Sequence, residues 1–489
     1  MIATSLPLMA DNRKFMLSLD AAAKQSMIEY GFQPDLPADV QLQLEHLKPE
    51  AGEPRDLRQL LWSSIDNDTS RDLDQIEVCE ELADGAVRLW LGIADVVAFI
   101  PMGSAIDRYA AAEGTSVYTG VRTFPMLPEK LSTDLTSLLE GADKLCVVTE
   151  MVFARDATIQ SSSIYPALVR NRAQLTYNAV GPWLEGKGPA PAKVATSAEL
   201  EKQLRVQDDL AHRLRACRYE HGALNIDSIE SRPVVDKGVV VNLAAVQKNR
   251  ATELIEDFMI ATNSVMARTL AERKVSSIRR VVKTPERWNR IVELAGQYGE
   301  TLPAEPDSGA LNAFLLKRKA ADPVHSADLS LAVVKLMGPG EYVLERPGDP
   351  QEGHFGLAVR DYTHATAPNR RFADLVTQRI VKALGSAAPY SDDELAAIAK
   401  NCTMREDAAR KVERVITKRI AATVLQHRIG ERFSAIVTGV TPKGTFVRVL
   451  TPHAEGRLIR GEAGVDVGDK VEVTLVGTDV ERGFIDFAR

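Results

Sequence analysis

Cysteine is scarce. Cys79, Cys146, Cys217 and Cys402 are the only four in 489 residues, far apart and without a CxxC pair. That argues against a disulfide framework or a zinc ribbon and points to reduced thiols in a reducing compartment. Positive charge is not in excess either, since 60 Lys and Arg against 67 Asp and Glu leave a net charge of −7. A histone-like binder is thereby excluded, because neutralising phosphates takes clustered cations. A nucleic-acid enzyme with its cations gathered in one channel is not. Long apolar runs are missing too: the most apolar stretch, 89–106, is broken by Gly92, Asp95, Pro101 and Gly103, which suits buried strand and loop rather than a membrane span. The opening MIATSLPLMADNRKF has no basic segment followed by a long apolar core, so no secretory signal is expected. The expectation is a cytoplasmic protein with no membrane association.

What is present is ordinary globular composition, 45% hydrophobic and 26% charged, which excludes collagen-like, mucin-like and disordered classes. The length suits about three domains at roughly 150 residues each. Residues 1–55 read as a small helical region: a run from Asp20 stops at Gly31, and Pro37 opens a segment carrying Val40, Leu42, Leu44 and Leu47. Strand composition marks 87–93 and 145–153, and 186–192 is a surface loop. Helical patterns follow over 197–218, 250–273 and about 393–430. After Gly430 the grammar changes. Short β-rich runs at 434–440, 445–450, 470–476 and 484–487, separated by Gly444, Gly456, Gly468 and Gly483, predict a five-stranded barrel of OB type over 433–489.

The sharpest local feature is Ser64-Ile-Asp66-Asn-Asp68-Thr-Ser-Arg-Asp72-Leu-Asp74-Gln75, with four aspartates in nine positions. Short carboxylates so crowded repel one another, and burial raises their pKa values, unless a cation joins them. Hard divalent cations accept such oxygen clusters, so Mg²⁺, with Mn²⁺ as the variant, is the cofactor expected. A solvated acidic turn is the plain alternative. An EF-hand is the other, since Asp66, Asp68, Ser70, Asp72, Asp74 and Glu77 fit its spacing. Arg71, however, stands where that loop needs glycine.

Several blocks, in order, resemble the ribonuclease II (RNB) family of exoribonucleases. Asp66…Asp72-Leu73-Asp74 is similar to its catalytic aspartate loop, and Gly92-Ile-Ala-Asp-Val96 with Gly103, Ser104 and Asp107 to the strand and loop that follow. Gly114-Thr-Ser-Val-Tyr118 and Pro125-Met-Leu-Pro128 resemble its nucleotide-stacking segment. Leu254-Ile-Glu256-Asp-Phe-Met259 is similar to its IEEFM helix, and His364-Ala-Thr-Ala-Pro368-Asn-Arg370-Arg371-Phe-Ala-Asp374-Leu to its HFTSPIRRYADL signature. The barrel resembles the S1 RNA-binding domain that closes most such enzymes. The resemblance implies an α+β fold: a small helical N-terminal region (1–55), a large RNB-type catalytic domain (56–432) and an S1-like OB-fold barrel (433–489).

It also implies an activity, processive 3′→5′ hydrolysis of single-stranded RNA to nucleoside 5′-monophosphates. By the same resemblance Asp66, Asp72, Asp74 and Gln75 are the metal-ligand positions, with Asp72, Asp74 and Arg370 catalytic. Glu256 and Pro368 belong to RNA-binding blocks. Arg370 takes the scissile phosphate, for which a bidentate guanidinium is well suited; a structural Arg paired with Asp374 is the alternative. Tyr118 clamps the 3′ end by stacking, an ordinary core tyrosine being the alternative. Glu413 matches a glutamate near the bound 3′ nucleotides, and reads equally as a charge on a helix face.

Two departures stand out. The family normally has aspartate where Gln75 stands; an amide oxygen ligates a hard cation but brings no charge, so one metal binds more weakly. That keeps open a second function, a catalytically weakened RNA-binding protein. Only about 55 residues precede the catalytic match, too few for the family's usual cold-shock barrels, so closer approach of paired RNA is expected. Charge is uneven: 268–290 is net +6 and 405–432 net +4, which suggests a channel guiding phosphates, whereas 433–489 is net −1 and would use stacking, with Phe446 as its candidate. No obligate protein partner is implied, and a monomer is expected.

Overall fold

A seven-stranded sheet positions everything else. Its order is Arg55–Asp56, Ile159–Arg170, Asp143–Phe153, Val87–Ala94, Gln75–Glu81, Ser63–Asp66 and Ala173–Thr176. The five middle strands are antiparallel to their neighbours, and each edge strand joins them parallel. The computed structural model describes residues 19–50, 52–226, 230–236, 239–246, 248–323, 326–350, 352–442, 444–466 and 469–489; the opening segment 1–18 and Gly468 lie outside them.

The central strand Val87–Ala94 is apolar almost throughout because both its faces are covered. Leu89, Leu91 and Ile93 point to one core, shared with helices Ala198–Glu220 and Arg250–Glu272. Trp90 and Ala94 point to the other, shared with helix Phe372–Lys382. Gly92 sits between them where an added Cβ would lie 3.2 Å from Cys146 Sγ and from Ile76, so any side chain there would have to push its neighbours aside by a few tenths of an ångström.

Helix Asp392–Leu425, 34 residues long, spans about 50 Å. It opens on a capping box between Ser391 and Glu394, and Val412, Ile416 and Ile420 on its distal half join the core of the C-terminal barrel. Near the start of the described chain, residues 19–29 form a helix that ends at Gly31 (φ +84°), where the Phe32 N–H bonds the Met27 carbonyl. The second predicted segment is helix Ala38–Glu45, directly after Pro37.

The barrel is closed, in the order Arg432–Thr441, Gly444–Val449, Ala454–Arg460, Phe484–Ala488, Lys470–Asp479. Its third strand is the one that sequence pattern passes over, because Gly456 looks like a separator. Here that glycine is inside the strand, and a Cβ on it would lie 2.6 Å from the Ile485 carbonyl and the Phe487 ring. Closure of so small a barrel, rather than a turn, demands the missing side chain. Among the described residues no helix is long and apolar enough to cross a membrane.

Candidate active site

Asp66 ends strand Ser63–Asp66, and Gln75 begins strand Gln75–Glu81. The loop between them turns its residues alternately inward and outward. Leu73 is buried in the core, its N–H bonded to Ser137 Oγ at 3.0 Å and its carbonyl to the Leu138 N–H. Asp72 and Asp74, on either side of that plug, face a cavity of about 1160 Å³. Asp66 and Gln75 line the same wall.

The opposite lip comes from the loop before helix Phe372–Lys382. Arg370 reaches Asp74 with Nε 3.5 Å from Oδ2, while Asn369 donates to Oδ1 from its side chain at 3.0 Å and from its backbone at 3.3 Å. Ser116 N–H and Thr115 Oγ1 both bond the Arg370 carbonyl, fastening this loop to the Tyr118 segment. Arg370 is not the partner of Asp374; Arg371 takes that carboxylate at 2.7 Å and leaves Arg370 free for the cavity.

Tyr118 stands on a two-stranded ribbon, Val117–Tyr118 with Thr123–Phe124, and is 43% exposed on the cavity wall, which removes the core-tyrosine alternative. Its backbone N–H donates to Glu413 Oε1 at 2.9 Å, so the long helix holds the aromatic loop. Glu413, Arg370 and Tyr118 also border an adjoining space of about 210 Å³. Part of the remaining wall is one face of helix Arg250–Glu272: Thr252, Ile255, Glu256 and Met259. Glu256 is additionally paired with Lys248 at 2.7 Å.

Burial dominates the electrostatics. It pushes the Asp74 carboxyl up to about 7, with the nearby Asp72 charge adding and Arg370 opposing. Burial likewise holds Asp72 above the usual carboxylate range, and the Asp66 charge adds to it. Carboxylates so destabilised as anions are poised to accept a cation. The donor set, carboxylate oxygens and one amide, fits a hard divalent ion. Gln75 Nε2 is 3.5 Å from the Ile65 carbonyl, so the oxygen end of its amide is the one that contact does not engage. Among the described residues no three His, Cys, Asp or Glu are already gathered in metal-binding geometry; an ion would have to draw the aspartates together.

Two residues assigned to RNA binding, Pro368 and Phe446, and Asp68 of the aspartate run lie off this wall. Pro368 is buried and shapes its loop, Asp68 is exposed and held by Asn178, and Phe446 is half-buried on a barrel strand opposite Gly439 and Arg457. The basic stretches contribute little to the walls of these two cavities. Among the described residues none of the cations in 268–290 lines either cavity. Arg279 is paired with Glu345, Arg280 with Glu406, Lys283 with Glu341 and Arg290 with Glu293. Of the cations in 405–432, among the described residues Arg410 alone lines either cavity, and Glu406 and Asp407 already hold it. Net charge along the sequence missed these carboxylates because most of them come from elsewhere in the chain. Asn369, Thr136 and Arg122 escaped the sequence reading; the i, i+3, i+4, i+7 spacing of 252, 255, 256 and 259 could have predicted the helical wall.

Comparison with known proteins agrees with this architecture. The RNB domain model matches residues 54–386, and that of the RNase II-type exonuclease C-terminal S1 domain matches 431–489. Ribonuclease R of Escherichia coli (strain K12) is 28% identical over 523 residues, covering 98% of this chain and 63% of its own. The chain therefore spans less than two thirds of the length of that relative. Mycoplasma genitalium RNase R, solved in complex with double-stranded RNA, superposes with a TM-score of 0.84 at 23% identity, covering 95% of this chain and 82% of that one. Yeast Ssd1, a pseudonuclease, superposes with a TM-score of 0.70 at 17% identity, covering 95% and 57%.

Proposed function

The chain belongs to the RNB family, and on that premise we propose that it is a processive 3′→5′ exoribonuclease that hydrolyses single-stranded RNA to nucleoside 5′-monophosphates. One observation carries the reading: Asp66, Asp72, Asp74, Gln75, Arg370 and Tyr118 all border a single cavity. Asp66, Asp72 and Asp74 with the Gln75 amide are the residues that would hold Mg²⁺ or Mn²⁺. Such an ion supplies Lewis-acid polarisation of the phosphate and a bound water of lowered pKa.

The chain's own groups do the rest. Arg370 binds the scissile phosphate and offsets charge that develops on its oxygens. Tyr118 stacks on a base near the 3′ end, an interaction indifferent to sequence. Glu413 keeps that tyrosine in place through its backbone N–H. Ile255, Met259 and Ile420 give the cavity an apolar side that restricts water. Glu256 is a wall residue and Phe446 the stacking candidate of the S1-like barrel. The four cysteines are free, three of them buried; a monomer in the cytoplasm is part of the proposal.

The test is purified protein with 3′-labelled single-stranded RNA and Mg²⁺. Immediate release of labelled mononucleotide is expected, and Asp74→Asn should abolish it while RNA is still bound. The comparisons do not favour the alternative that Gln75 raised, an RNA tether with little turnover. RNA left intact by the wild type, yet cut by Gln75→Asp, would establish it.

A further inference from the structure

The loop signature quoted above has isoleucine where this chain has Asn369, and the substitution puts an amide against the most deeply buried aspartate of the site. Asn369 Nδ2 donates to Asp74 Oδ1 at 3.0 Å, and its backbone N–H reaches the same oxygen at 3.3 Å. The other end of the amide is fixed as well: Thr136 Oγ1 lies 2.6 Å from Asn369 Oδ1 and 2.9 Å from the Leu131 carbonyl. All three residues are nearly inaccessible to solvent, at 1% for Asn369, 2% for Thr136 and 5% for Asp74. Reversing the amide would set its oxygen against a carboxylate, so Asp74 enforces one orientation, in which Asn369 Oδ1 lies against the Thr136 hydroxyl.

A second departure lies beside the first. Gln75 follows Asp74 directly and replaces an aspartate of the family pattern. With one negative charge fewer, the site binds a cation more weakly overall, and more depends on how well the remaining carboxylates, Asp74 among them, are held in place. An isoleucine at 369 offers no hydrogen bond; an asparagine anchored on Thr136 does. Oδ1 is occupied by it, which leaves Oδ2 as the oxygen turned to Arg370.

We infer that Asn369, anchored by Thr136, is a positioning residue that fixes the Asp74 carboxylate for the cation, and that it is matched to Gln75. The inference rests on the reading of the cavity as a metal-dependent nuclease site. Outer-shell partners of metal ligands typically change affinity or turnover by about 10–100-fold when removed.

The experiment measures Mn²⁺ binding by electron paramagnetic resonance, and kcat and KM on labelled RNA, for wild type, Asn369→Ile, Thr136→Val and Asn369→Ile with Gln75→Asp. Asn369→Ile should weaken Mn²⁺ binding and lower kcat, each by about tenfold or more, with KM for RNA little changed. Thr136→Val, nearly isosteric, should move both in the same direction by less and guards against a folding defect in the first variant. The double variant should recover most of the lost Mn²⁺ affinity, a non-additivity that a merely structural asparagine would not give. Unchanged Mn²⁺ affinity and kcat in Asn369→Ile overturn the inference, as does a wild type that binds no Mn²⁺. A wild type that leaves RNA intact, while Asn369→Ile still loses Mn²⁺, overturns the nuclease reading and supports the positioning role.

Discussion

Arg371 bonds Asp374 through both Nε, at 2.8 Å, and Nη2, at 2.7 Å, while its neighbour Arg370 keeps 45% of its side chain exposed and meets Asp74 at 3.5 Å. Adjacent residues of the same type thus belong to different problems, one to folding and one to chemistry. Arg370→Ala should leave thermal stability unchanged and lower kcat by roughly 10²–10³, the usual cost of losing one preorganised charge-stabilising donor. Arg371→Ala should strand the buried Asp374 carboxylate and cost about 3–5 kcal/mol in urea unfolding. A stability loss for Arg370→Ala as large as that for Arg371→Ala would refute the division. Tyr118→Ala should weaken binding of the RNA 3′ end by about 1–3 kcal/mol, and Tyr118→Phe should not; equal losses in a fluorescence titration would show that the hydroxyl, not the ring, matters. Sequence displayed these residues because each sits in a short, chemically dense block. It hid Asn369 and Thr136 because their contact joins positions 233 residues apart.

Among elements, helix Arg250–Glu272 carries a whole cavity wall and depends on a single cap. Asn249 accepts from the N–H groups of Ala251 and Thr252, both at 3.1 Å, and donates to the Tyr177 carbonyl at 2.9 Å. Gly181 makes room for it, since a Cβ there would lie 2.3 Å from Asn249 Cγ. Gly181→Ala should therefore displace the cap and cost at least about 1 kcal/mol, read by urea unfolding; no loss would mean the helix start does not rely on it. Glu113, at the end of helix Ala105–Glu113, accepts the Gln33 N–H at 2.9 Å and ties the N-terminal segment to the sheet domain. Burial pushes its carboxyl up to about 7 from the usual 4.5. The folded form holds this proton more tightly than the unfolded chain, so its stabilising contribution is full below pH 4.5 and lost as pH rises to about 7. Glu113→Gln should gain on wild type by up to about 3 kcal/mol between pH 4.5 and pH 8; parallel pH profiles for the two proteins would refute this. Helices and strands were legible wherever one period ruled. The barrel strand Ala454–Arg460 was not, because its glycine answers to the Phe487 ring across the barrel rather than to local turn chemistry.

Across the whole molecule, a net charge of −7 divides into carboxylates that seek a cation in the cavity and cations that have already found carboxylates outside it. The sequence suggested the opposite bookkeeping for the basic stretches, and the reason is geometric. Strand Ser277–Val281 pairs antiparallel with Glu341–Glu345, which sets Glu345 beside Arg279 and Glu341 beside Lys283, while the long helix brings Glu406 to Arg280. With Arg290 paired to Glu293, half of the eight cations in 268–290 are thereby matched to carboxylates. Guanidiniums on the main cavity wall come down, among the described residues, to Arg122 and Arg370, and Asp20 lies 3.7 Å from the first. Single-stranded RNA bound there should displace few counterions. With about two phosphates neutralised and a slope of roughly −0.7 for each, log K against log salt should fall with a slope near −1.4. Affinity would then come from stacking on Tyr118 and from the metal, not from a basic path, and should survive salt that strips phosphate-tracking proteins. Measuring Kd for a short RNA between low and moderate salt decides the matter. A slope of −4 or steeper would mean that the RNA backbone follows the exposed lysines and arginines outside the cavity, and that the charge pattern in the sequence was the better guide to its path.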